Sequence, residues 1–216
     1  MTFQPPSKQR IAFLDQAATT YHQQLAAGTP AALHLESRGL TWDSARYFRL
    51  GYVGSPISGH ERYAGMLAIP YINMQGVVAI RYRCLAGHDC KELGHGKYTR
   101  EPGDEAKIYN IKTLTLNVRR IAVCEGEIDT MTAWQCGIPT IGVSGAQNWK
   151  PLFHRHIRGY EEVVNLADGD DAGLKLADTI MGKNEHASLA QMPQGSDVNK
   201  YYIDHGAEAL KTKARF

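Results

Sequence analysis

The sequence predicts an α/β protein in which three helices and a small β-hairpin precede a domain built on a parallel sheet. Three observations carry this expectation. Apolar residues recur at helical spacing over residues 7–48, two β-branched and aromatic runs flank a Gly-containing turn over 66–82, and strand, turn and helix patterns alternate from residue 120 onward.

In the first element, Ile11, Leu14, Ala18, Tyr21 and Leu25 are spaced by three and four, with Ser7 as N-cap and Gly28 as stop. Thr29-Pro30 reads as a cap followed by Pro at the first helical position, so a second helix runs over Ala31–Arg38 to Gly39. A third starts at Thr41 and carries Trp42, Ala45 and Phe48. Met66–Ile72 and Val77–Tyr82, joined by Asn73-Met74-Gln75-Gly76, form a hairpin, and Cys84–Gly103 is a long polar loop. Beyond Val118 the expected order is strand Arg120–Cys124, helix Ile128–Cys136, strand Thr140–Val143, helix Trp149–Ile157, strand Glu162–Ala167, helix Ala172–Met181 and strand Ala187–Gln191, then a helical tail. Such alternation implies a parallel sheet with helices on both faces and ligands beyond the carboxyl ends of the strands. The domain boundary is placed at 117–119, which separates an N-terminal domain over 1–118 from a C-terminal domain over 119–216.

The composition, 216 residues with 43% hydrophobic and 21% charged, excludes disordered and fibrous classes. The longest apolar stretches, Met66–Ile72 and Val77–Ile80, fall far short of the ~18 residues of a membrane span, and Met1–Ile11 has no signal-peptide core. A cytoplasmic protein with no membrane partner is expected. Its four Cys would then be thiols or metal ligands. Residues 1–119 carry a formal charge of +5 and residues 120–216 one of −3, a division that suits gripping a polyanion with one half and gathering cations with the other.

Two strands end in acid. Arg120–Cys124 runs into Glu125-Gly126-Glu127-Ile128-Asp129, and Glu162–Ala167 runs into Asp168-Gly169-Asp170-Asp171. Taken singly, each acid is also an ordinary helix cap or Asp-Gly turn. Two clusters at the tips of one parallel sheet instead bring Glu125, Asp129, Asp168 and Asp170 toward one crevice. Hard oxygen ligands at that density select Mg²⁺ or Mn²⁺ and suit phosphoryl or nucleotidyl transfer.

Glu125-Gly126-x-x-Asp129 followed by Asp168-Gly169-Asp170-x-Ala172-Gly173 resembles the TOPRIM domain, a Rossmann-like parallel-sheet fold shared by topoisomerases, bacterial-type primases and some nucleases. Leu189–Asn199, with Pro193, Gly195 and Asp197, looks like the primase stretch that adds a further metal-binding Asp, and the resemblance spans roughly 120–205. The preceding half is similar to the bacterial primase core in Phe13–Tyr21, Leu35–Leu40, Phe48-x-x-Gly51-Tyr52, Ile69-Pro70, Gln75–Arg83 and Gly96-Lys97-Tyr98. The resemblance implies a primase catalytic core of bacterial or phage type without its zinc-ribbon module and helicase-binding region. It implies Glu125 as the catalytic acid/base or metal-proximal carboxylate, Asp129 as its support, and Asp168, Asp170 and Asp197 as holders of Mg²⁺. Glu127 and Asp171, beside the motif, are expected to adjust local charge.

A primase must hold a single-stranded DNA template and ribonucleoside triphosphates. Arg81 and Arg83, spaced to share one face of a strand, with Lys97 and Arg100 in the next loop, are the expected phosphate contacts. Tyr82 and Tyr98 are expected to stack bases. A replicative helicase or separate primase subunit would supply the missing modules. Two alternatives remain open: a metal-dependent TOPRIM nuclease and a non-catalytic single-stranded-DNA-binding accessory protein.

Cys84-x3-His88-x-Cys90-x4-His95 places four zinc-competent ligands within one loop, although the spacing departs from the usual pairs. Zn²⁺ is one reading of this pattern, and a flexible insertion with incidental Cys and His is the other. Cys124 and Cys136 are expected to pack in the core.

Overall fold

The computed structural model describes residues 6–216, which divide into two units: the chain up to Ser37 with Thr41–Asp104, and Arg38–Leu40 with Glu105–Phe216. The division after Asp104 precedes the expected 117–119 because Tyr109 already bridges Gly142 of the second unit's sheet.

In the first unit, α1 (Lys8–Gln24) is capped by Ser7, whose hydroxyl accepts the Arg10 N–H at 3.1 Å. Thr29 caps α2 (Pro30–Ser37) through Ala32 N–H, and Thr41 caps α3 (Trp42–Tyr47) through Ser44 N–H. The strands β1 (Gly51–Tyr52), β2 (Leu67–Asn73), β3 (Gly76–Arg83) and β4 (Tyr98–Arg100) form an antiparallel sheet in that order. The expected loop Cys84–Gly103 therefore contains a strand. Its three polar residues show no periodicity of their own and are held by pairing with β3.

Leu14, Ala18 and Tyr21 of α1 pack on Val77, Ile80 and Tyr82 of β3. A buried polar knot sits in this core. His60 Nδ1 lies 2.8 Å from Tyr21 Oη and 3.1 Å from Tyr82 Oη, while its Nε2 lies 3.2 Å from Glu101, which Arg10 also pairs.

The second unit carries the parallel sheet. Its strands β5 (Arg120–Cys124), β6 (Thr140–Gly142), β7 (Glu162–Ala167) and β8 (Ala187–Gln191) lie in the order β6-β5-β7-β8. One face, Ala122, Cys124, Val164, Leu166 and Ala190, packs with residues of α4 (Glu127–Gln135) and α7 (Val198–Ala214). The other, Ile121, Val123 and Val163, packs with residues of α5 (His154–Ile157) and α6 (Asp171–Met181). Helices thus cover both faces, and Cys124 and Cys136 are free thiols inside the core, as expected. The helix expected over Trp149–Ile157 is broken instead. Two 3₁₀ turns, the second opening at Pro151, precede the single turn of α5. Among the described residues no helix is long and apolar enough to cross a membrane.

Candidate active site

The strand order decides where a site can form. From β5 the chain passes to β6 on one side and then returns to place β7 on the other, so the β5/β7 boundary is the topological switch point. In open parallel sheets such a point, outside the carboxyl ends of the strands, is where ligands bind. Because Cys124 of β5 lies beside Leu166 of β7, Glu125, next in the chain, and Asp168, two residues past Leu166, leave adjacent strand tips.

Each acid is fixed by its own local structure. Glu125 lies ahead of Gly126, the N-cap of α4, and a Cβ at Gly126 would stand 2.6 Å from Asp129 Oδ2, so only Gly lets that carboxylate fold back over the helix start. Asp129 is buried, and its Oδ1 accepts the Asn199 backbone N–H at 3.0 Å. Asp168 follows β7. A Cβ on the next residue, Gly169, would collide with the Pro193 carbonyl oxygen, because here the β7–α6 and β8–α7 turns touch and Gly169 N–H donates to Ser196 O at 2.8 Å. Asp170 caps α6 by accepting Ala172 and Gly173 N–H, and Asp197 caps α7 by accepting Lys200 N–H at 2.6 Å. These two therefore also hold helix starts, the ordinary work of Asp at such positions.

The electrostatics show crowding. Burial first, then the negative charges of Asp129, Glu125, Asp197 and Asp170, push Asp168 up to about 8. Burial and Asp197 raise Asp129 to about 7 against the opposing influence of the Asn199 N–H and the Arg38 charge. Burial raises Glu125 as well, opposed by the Ala146 N–H and reinforced by Asp170. Among the described residues, no donor reaches the buried Glu125 Oε2 or the buried Asp168 Oδ1. Two orphaned carboxylate oxygens at adjacent strand tips are atoms a hard cation would satisfy. Three or more of the described acids do not close on one point here. Mg²⁺ commonly takes only one or two carboxylates, with waters and phosphates completing its octahedron, so the residues fit it.

Sequence reasoning missed what holds Asp129 in place. Asn199 Nδ2 donates to the Arg38 carbonyl and the Thr132 hydroxyl, both at 2.8 Å, and the Arg38 guanidinium donates to Asn199 Oδ1 at 3.3 Å. Arg38 is thus a cation tied to the acidic cluster, and its one signal is its place in Leu35–Leu40, a stretch that carries the resemblance. Glu127, expected to adjust local charge, is only 2% exposed in the first turn of α4.

In the first unit the register sets Arg81 beside Arg100 and Arg83 beside Tyr98, so these four share one face of the sheet. The Arg81 and Arg83 guanidiniums lie 4.7 and 5.0 Å from the Tyr98 ring centre. Arg83 also bonds Tyr98 Oη and is 6% exposed, so it supports the tyrosine more than it meets solvent. Lys97 and Arg100 are exposed. Tyr82 corrects an expectation. Strand alternation turns it to the opposite face, where it is 0% exposed and stacked on Tyr63 at 3.8 Å, out of reach of any base. Cys84, His88, Cys90 and His95 come together in the loop between β3 and β4.

Comparison with known proteins agrees with this arrangement. The family described as Toprim-like matches residues 122–202. The Gene 57 protein of Mycobacterium phage D29 is 44% identical over 153 residues, covering 68% of this chain and 97% of that one. A DNA primase of Enterococcus faecalis is 25% identical across 97% of this chain, which spans only 41% of that primase. Among solved structures, the DnaG primase catalytic domain bound to ssDNA superposes with a TM-score of 0.72 at 18% identity, covering 95% of this chain and 80% of that one.

Proposed function

Since this chain belongs to the family of the phage Gene 57 protein and matches the Toprim-like family over residues 122–202, we propose that it is a DNA primase catalytic core, joining ribonucleotides on a single-stranded DNA template by metal-dependent nucleotidyl transfer. The observation that carries the reading is the placement of Glu125 and Asp168 at adjacent strand tips, half-buried, with Glu125 among the charges that raise Asp168 and each with a buried oxygen left without a donor among the described residues.

Asp168, with Asp170 and Asp197 beside it, would hold Mg²⁺ or Mn²⁺, whose charge when bound offsets that of the nucleotide phosphates and the leaving oxygen. Glu125, raised by burial, is suited to take the proton of the attacking hydroxyl. Asp129 acts through structure. Its bond to Asn199 holds the start of α7 and so the turn that carries Asp197. Arg81, Lys97 and Arg100 are proposed to meet template or triphosphate oxygens, and Tyr98, braced by two guanidiniums, to stack on a base. A replicative helicase or second primase subunit is the proposed protein partner. Incorporation of labelled ribonucleotides on a single-stranded template tests the reading. Template degradation without incorporation would point to a nuclease instead.

A further inference from the structure

We propose that the loop joining β3 to β4 is a structural zinc site formed by Cys84, His88, Cys90 and His95. Their four ligand atoms lie within 4.8 Å of one another. Tetrahedral zinc with Zn–S of about 2.3 Å and Zn–N of about 2.0–2.1 Å places its ligand atoms about 3.4–3.8 Å apart. Here Cys84 Sγ and His88 Nε2 are 3.6 Å apart, and the two imidazole Nε2 atoms 2.9 Å. Adjustments within an ångström or so centre an ion among them.

The protonation chemistry agrees with the geometry. His95 Nδ1 lies 3.2 Å from the Gly96 carbonyl oxygen, which can only accept, so Nδ1 carries the proton and Nε2 presents its lone pair to the cluster. A backbone carbonyl on the far nitrogen is the usual device that orients a metal-binding imidazole. The His88 and His95 rings stand perpendicular, with centres 4.9 Å apart, so their Nε2 atoms approach from different directions. Two thiolates and two neutral imidazoles neutralise a divalent ion, and this borderline-soft set selects zinc over Mg²⁺. With all four positions filled by protein, the site is closed, and its role is structural rather than catalytic.

The loop also needs such a staple. Among the described residues between Tyr82 and Ile108, no hydrophobic side chain is buried, and Leu93 stands 63% exposed. What orders residues 84–97 is local: Cys84 N–H bonds Lys97 O at 2.9 Å, His95 N–H bonds Cys90 O at 2.9 Å, and Asp89 Oδ1 accepts the Lys91 N–H at 2.8 Å. A segment without an apolar core gains its stability from a metal when it has the ligands. The ion would thereby fix the approach to β4, which carries Tyr98 and Arg100.

The test is metal analysis of the full chain, purified without chelator and without added zinc. The expected result is about one zinc per chain, with zinc-edge X-ray absorption showing two sulfur and two nitrogen neighbours, and cobalt exchange giving the visible bands of a tetrahedral thiolate site. Cys84→Ser and Cys90→Ser should each lower zinc content roughly tenfold or more. Their main thermal transition should stay close to that of the parent, since the loop contributes nothing to either core. Substoichiometric zinc, a Cys84–Cys90 disulfide, an all-oxygen absorption signature, or zinc undiminished in both variants would each overturn the proposal. The absorption measurement needs only the parent protein, so it decides the matter even where the variants are insoluble.

Discussion

The Asp129 carboxylate accepts the Asn199 backbone N–H across 3.0 Å, pinning the first turn of α4 to the first turn of α7. The same asparagine reaches back to Arg38 and Thr132. An acid from one motif is thus fixed by the element that follows another, which is how three separated stretches come to gather at one end of the sheet.

Asn199→Ala should therefore destabilise the protein by about 1–3 kcal/mol, because it strands the Arg38 carbonyl, the Thr132 hydroxyl and the Arg38 guanidinium beside a buried carboxylate. Urea denaturation measures this. An unchanged midpoint would show that the asparagine is not the tie described.

The raised carboxyls fix the sign of a pH effect. Asp129 and Asp168 sit at about 7 and about 8 in the folded protein against 3.8 when unperturbed, so from about pH 4 to 8 the unfolded chain releases protons the folded chain keeps. Without divalent ions, stability should fall as pH rises through that window. Added Mg²⁺ should raise the melting temperature more at pH 8.5 than at pH 6, where protons compete for the same oxygens. Melting curves at the two pH values, with and without Mg²⁺, check both halves. A larger Mg²⁺ effect at the lower pH would contradict the assignment.

Gly169→Ala should cost about 1–3 kcal/mol or more, since its methyl would meet the Pro193 carbonyl oxygen where two turns touch. The damage should extend to the site, because Asp168 precedes this glycine. The variant should lose some of its Mg²⁺-induced melting shift as well as stability. Calorimetry with and without Mg²⁺ separates the two effects.

On the first unit's sheet, Arg81→Ala and Arg100→Ala should each weaken binding to single-stranded DNA and flatten its salt dependence by about 0.7 in log–log slope for each phosphate left unneutralised. Tyr82→Phe should leave both untouched while lowering stability by about 1 kcal/mol, because its hydroxyl is spent inside the core on His60. Fluorescence anisotropy titrations at several salt concentrations distinguish these outcomes.

Much of this arrangement is legible in the residues themselves. The strands β5 and β7 are largely apolar runs bounded by turn residues, so their limits can be read directly, and the acids beyond them follow from the polarity of a parallel sheet. What escapes depends on pairing at a distance. The strand β4 exists through its partner, and Arg38 meets Asn199 across a separation of 161 positions in the chain. Tyr82 departs from expectation for a simpler reason. The same alternation that puts Arg81 and Arg83 on one face sends the residue between them to the other.

The most direct test of the central claim is templated incorporation. Purified protein, single-stranded DNA, Mg²⁺ and labelled ribonucleotides should yield short RNA, with and without a candidate helicase present. Glu125→Gln and Asp168→Asn, which keep shape but remove the charges at the switch point, should each cut product by at least about a hundredfold, as loss of a group acting on the transition state does. RNA made equally well by both variants would contradict the account.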